Sequence, residues 1–204
     1  THVTTLIVMV FIIVLALIAR HAVLHGDEKP SGLQNFVEMI VEMLDNLVKG
    51  SMGRHWRPFV NYIGTIMVFI FFANTSGLFG LRPPTADYGT TLALALITFV
   101  LIQYSAFKTI KLHVFTDLFK PIPILFPINL IGEFATPLSM SLRLFGNIMA
   151  GTIMMALWYG LLPWLAQLGI PAFLHMYFDL FSGAIQTFVF AMLTMTFITD
   201  KREA

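Results

Sequence analysis

The run VTTLIVMVFIIVLALIA, residues 3 to 19, is almost wholly apolar and ends at Arg20 and His21. At about 1.5 Å of rise per residue it is just long enough to cross the ~30 Å hydrocarbon layer of a bilayer. Comparable runs follow at residues 59–79, 89–107, about 128–159 and 171–199. A chain that is 57% hydrophobic and only 11% charged, with a mean hydropathy of +0.82, has too much apolar surface for one soluble core. Lipid is its expected solvent, and the expected fold is an all-α polytopic membrane protein with about five membrane segments.

The segments differ in kind. Residues 1–19 form the first transmembrane helix. Within residues 30–50, Leu33, Phe36, Val37, Ile40, Val41, Leu44 and Val48 recur at helical spacing opposite Glu38, Glu42, Asp45 and Lys49, which predicts an amphipathic helix on the membrane surface. Residues 59–107 make a transmembrane hairpin joined by LRPPTADYG. Residues 121–199 hold two apolar stretches of about 30 residues, or roughly 45 Å of helix each, and helices that exceed the slab tilt or kink. Pro137 is a place for a kink, residues 160–171 the bend between the two helices, and residues 107–120 a basic loop. Together residues 1–204 read as a single membrane domain.

Lys and Arg are distributed unevenly. Ten fall in the loops 20–58 and 108–120 and at the C-terminus, against Arg82 alone on the opposite side. This places the N-terminus outside and the C-terminus in the cytoplasm. A net charge of +1 without a basic face argues against a nucleic-acid partner, and the absence of Cys excludes thiolate metal sites. The chain begins without a basic region ahead of its apolar run, so no cleaved signal peptide is expected. No HExxH, GxSxG or GxxxxGK[ST] occurs, which points away from an enzyme and from nucleotide chemistry.

The candidate site lies on the two long helices. Asn129, Glu133, Thr136, Met140, Arg143 and Asn147 follow one another at steps of three and four and share a face, as do His175, Asp179, Ser182 and Gln186. Small residues, Ser139 among them, accompany the first stripe and allow another helix to approach. Arg143 is far from both ends of its segment, and a charge at mid-membrane costs from ~3 to ~10 kcal/mol or more. Something must offset that cost. Glu133 is about 15 Å away along the helix, which leaves Asp179, Gln186 or a carboxylate on another protein. Glu133 and Asp179 also read as hydrogen-bonded buried acids, His175 as an interfacial residue, and Asn147 and Gln186 as interhelical contacts. No third ligand accompanies His175 and Asp179, so neither a metal nor a cofactor is expected.

SLRLFGNIMAG, residues 141–151, closely resembles the hallmark segment of the a-subunit family of F-type ATP synthases. PSGLQNFVE, FFANTSGL, PPTADYGTTLALAL, FPINLIGEFATPLSMSLRLFGN and GAIQTFVFAMLTMTFI match in the same order. The resemblance implies an ion-translocating stator subunit of the membrane sector, packed against a rotating c-subunit ring and joined to the b subunits of a peripheral stalk in a bacterial plasma membrane. By motif position it makes Arg143 the essential arginine, Asn147 the polar residue one turn on, and Gln186 the glutamine facing that arginine. The coupled ion is H+ or Na+.

Two positions depart from many members. Thr152 stands where a Glu is common, and Asp179 where a His or Glu is common. Asp179 is therefore expected to carry alone a relay that such members divide between two groups. Asn129, Thr136, Ser139, Thr152, His175 and Ser182 are candidate channel-lining positions, and Glu133 is a candidate for the cytoplasmic half-channel. The alternative from another class is a small secondary transporter that binds an anion through Arg143.

Overall fold

The computed structural model describes residues 1–24, 32–110, 126–161 and 170–203. The regular elements are α1 (His2–Leu24), α2 (Gly32–Met52), α3 (Val60–Thr75), α4 (Tyr88–Ile110), α5 (Phe126–Leu161), α6 (Ile170–His175) and α7 (Gly183–Glu203). A π-helical stretch, Met176–Ser182, joins α6 to α7, and 3₁₀ turns at Ser76–Phe79 and Pro84–Ala86 connect α3 to α4. Five helical stretches among the described residues are long and apolar enough to cross a membrane. Most of the loop 107–120 and of the bend 160–171 lies outside the described residues.

Two apolar clusters hold the bundle together. In one, Val48 and Met52 of α2 pack with Phe59, Ile63, Ile102, Ala191, Met195 and Ile198. In the other, Ile66 and Ile70 of α3 meet Ala95 of α4, Met140 and Leu144 of α5, and Phe190 of α7. The first cluster amends the expectation for α2. Its inner face is a wall of the bundle, so the helix seals one end of the protein as well as presenting an outer surface.

Threonines inside the bundle satisfy their own hydroxyls. Thr98, Thr187 and Thr194 each donate to the carbonyl four residues back, and Thr91 to the one three back. In a hydrocarbon solvent no water stands in for a missing partner, so such local bonds keep hydroxyls tolerable within a helix.

The connection between α3 and α4 is more than a tight turn. Gly80 adopts φ +70°, a left-handed conformation suited to glycine, and ends the 3₁₀ turn. Thr85 then points inward and is fully buried. Asp87 accepts a bond of 2.9 Å from the Gly89 amide and caps the start of α4.

The last long stretch, expected as one ordinary helix, contains the π-helical turn at Met176–Ser182. α5, by contrast, is continuous over 36 residues with Pro137 inside it. Proline has no N–H, so the carbonyl of Glu133, four residues earlier, loses its usual helical donor.

Candidate functional site

Met140 and Leu144 anchor α5 in the core, at 3% and 0% exposure. Arg143, between them in sequence, falls on the outer side of the helix and is exposed. Among the described residues it has no ion pair and no hydrogen bond. The pairing with Asp179 entertained from the sequence is not made, because Asp179 has turned to a different partner. Arg143 instead borders a concavity of about 230 Å³ lined by Gly132, Thr136, Ser139 and Met140 of α5 and by Leu193 and Phe197 of α7.

On one side of Arg143 a polar cluster forms around the π-helical turn. Ser182 donates to Asn147 Oδ1 at 2.8 Å. His175 Nδ1 and Asp179 Oδ2 are 2.8 Å apart, with the Asp179 side chain 19% exposed. Gly77 makes room for that carboxylate: a methyl group there would lie 3.0 Å from Asp179 Cγ. His175, expected as an interfacial residue and a candidate lining position, is thus the direct neighbour of Asp179.

Three residues that the stripes did not include fix this region. Asn74 is fully buried, accepts from Thr85 Oγ1 at 2.7 Å and donates to the Gly183 carbonyl at 3.2 Å. A Cβ on Gly183 would come within 2.9 Å of Asn74 Cβ, so glycine is what permits this approach. The signal available in the sequence was Asn74 itself, an amide near the end of an apolar run that must find partners inside the protein.

On the other side of Arg143, Glu133 gathers two partners. Gln103 of α4 donates to Glu133 Oε2 at 2.8 Å, and Lys201 of α7 contacts Glu133 Oε1. Neither Gln103 nor Lys201 stood out in the sequence, where Lys201 counted only as a terminal loop charge.

Contacts between Asn147 and Ser182, between Gly151 and Phe178, and between Glu133 and Lys201 set an antiparallel register for α5 against the α6–α7 segment. One turn from Asn147 and one turn from Ser182, Gln186 comes level with Arg143. Gln186 is 8% exposed and no hydrogen bond joins it to Arg143. Its Nε2, like Asn147 Nδ2, is buried without a hydrogen-bond partner among the described residues. Thr136, Ser139 and Thr152 are not deeply buried, and Asn129 lies in the first turn of α5.

An arginine without a partner among the described residues, set between polar clusters on a bundle of apolar helices, defines a multi-pass membrane protein that handles charge within the bilayer. The sequence matches the ATP synthase A chain family over residues 2–199. It is also 40% identical to the ATP synthase subunit a, sodium ion specific, of Propionigenium modestum, over 97% of this chain and 72% of that relative. The chain belongs to this family: it is an ion-translocating, non-catalytic a subunit of the F-type ATP synthase membrane sector. Membership implies a c ring and b subunits as partners, and it sets aside the secondary-transporter alternative.

Proposed function

We propose that Arg143 is the stationary charge separating two aqueous half-channels, through which ions board and leave a rotating c ring. Residues 1–204 act as one membrane domain, with the N-terminus outside, the C-terminus in the cytoplasm of a bacterium, and the two long helices tilted beside the ring. Glu133, Thr136 and Ser139, with Asn129 near the entrance, line the cytoplasmic half-channel. Asn147, Ser182, Asp179 and His175 line the outer one, Thr152 borders it, and Gln186 supports Arg143.

The observation that carries this reading is the exposure of Arg143 without an acidic partner in the described chain. A guanidinium in the hydrocarbon layer requires compensation, and a carboxylate on an adjacent ring subunit supplies it. Arginine stays protonated at any working pH, so it cannot hand a proton across. It does favour the ionised form of a passing carboxylate. An ion must therefore leave on one side of Arg143 and board on the other. Gly132 and Gly146 have open space where a Cβ would be, which suits close passage of a moving surface.

A membrane potential of 100 mV supplies ~2.3 kcal/mol per elementary charge, so several ions drive each ATP. The sodium specificity named for the relative makes sodium the first ion to test.

In the whole complex reconstituted in vesicles, Arg143→Ala is expected to assemble with its ring, lose coupled ATP synthesis and leak ions passively. Asp179→Asn is expected to cut coupled synthesis, and His175→Ala to cut it less. Wild-type synthesis in Arg143→Ala would overturn the reading, and wild-type synthesis in Asp179→Asn would remove Asp179 from the path. ATP hydrolysis with and without sodium, followed alongside sodium and proton uptake, identifies the ion.

A further inference from the structure

The concavity beside Arg143 begins at Gly132 on α5 and reaches Phe197 on α7. The next residue on α5 is Glu133, and one turn beyond Phe197 is Lys201. These two side chains touch, so an ion pair sits beside the concavity, level with its end remote from Arg143, without lining it. Both oxygens of Glu133 are engaged, one by Lys201 and one by Gln103. The pair is not sealed away, since the side chains of Lys201 and Glu133 are 32% and 23% exposed.

We propose that Lys201 is a positioning residue that holds the mouth of this half-channel electrically neutral and thereby sets how strongly it attracts the coupled cation. The inference rests on the reading of Glu133 as lining the cytoplasmic half-channel and adds the regulation of its entrance. The pair carries no net charge when Lys201 is on Glu133. Without Lys201 it carries one negative charge, and without Glu133 one positive charge. The nearby Asp200 is exposed, and the Arg202 guanidinium lies over the Phe59 ring at 5.5 Å. Among the described residues neither forms an ion pair with Glu133 or Lys201. A single charge at a partly exposed entrance changes the local concentration of a monovalent cation severalfold at low salt, and a short Debye length removes the effect at high salt.

The consequence is a ladder of four proteins. It is read as the half-saturating concentration of the driving cation for ATP hydrolysis by the whole complex in inside-out vesicles. Sodium is titrated where sodium activates, and the activating pH midpoint is taken where protons do. K201Q is expected to lower that concentration about three- to eightfold at low ionic strength, and E133Q to raise it by a similar factor. The double variant E133Q/K201Q is expected to bring that half-saturating concentration back to the wild-type value even where its maximal rate falls, because Glu133 lines the path, and K201R to keep the wild-type value. High choline chloride should collapse all four onto one value.

A K201Q protein that binds the cation no differently from wild type while E133Q still shifts overturns the proposal and leaves the half-channel reading standing. If E133Q does not shift either, Glu133 lies off the path and both fall. A double variant that keeps the K201Q shift would also overturn the proposal, because the effect would then not run through Glu133.

Discussion

Asn74 shows how a single amide organises the outer cluster. Its oxygen takes the Thr85 hydroxyl and its nitrogen reaches the Gly183 carbonyl, so one side chain joins α3, the turn before α4 and the start of α7. All three groups are buried; the Gly183 carbonyl also accepts from Thr187, whereas Asn74 Oδ1 takes its bond from Thr85. Thr85→Val keeps the shape, removes the donor and leaves Asn74 Oδ1 without a partner. The expected cost is about 1 to 3 kcal/mol, seen as a lower thermal midpoint for the purified complex in detergent. Thr85→Ser keeps the hydroxyl and should recover most of the loss. If valine is tolerated without a shift, Asn74 is satisfied in some other way.

The π-helical turn at Met176–Ser182 does for the last span what no α-helix of the same sequence would do. A π turn amounts to an extra residue in an α-helix, and such insertions are frequent at functional sites. Deleting Tyr177 should let the segment close into an ordinary helix and rotate everything before it by about 100° relative to Gln186. His175 would then turn away from Asp179, which lies beyond the deleted residue. The expected result is a complex that assembles and hydrolyses ATP but no longer couples it to ion uptake, measured in vesicles. Apolar length and helical spacing made α1, α3, α4 and α5 readable from the sequence, because lipid demands that each span satisfy its own backbone. The π turn was not readable, since hydropathy carries no mark of a widened turn and Met176, Tyr177 and Phe178 suit either form. Arg143, Asn147, Ser182 and Asp179 were visible as polar residues on greasy helices. His175, the partner of Asp179, stood on the same stripe, but Gly77 beside that carboxylate and the Glu133 partners Gln103 and Lys201 were not visible, because they arrive from elements far away in sequence.

Contacts at the two ends of the bundle divide the molecule into opposite faces. At one end Thr1 lies against Asp87, 3.4 Å away, which brings the start of α1 beside the start of α4. At the other end Gln103, Glu133 and Lys201 meet, which gathers the end of α4, the start of α5 and the end of α7. An odd number of spans puts the chain's two ends on opposite sides, and the sidedness proposed above from the clustering of Lys and Arg has the Lys201 end in the cytoplasm. The chain contains no Cys, so single cysteines report their own side without interference. Arg82 and Asp200 are both exposed and lie at opposite ends. With a membrane-impermeant maleimide, Arg82→Cys should label in intact cells and Asp200→Cys only in inside-out vesicles. The reverse pattern would invert the sidedness and place the Glu133–Lys201 pair at the outer mouth. It would leave Arg143 between the same two clusters but exchange which of them loads the ring during synthesis.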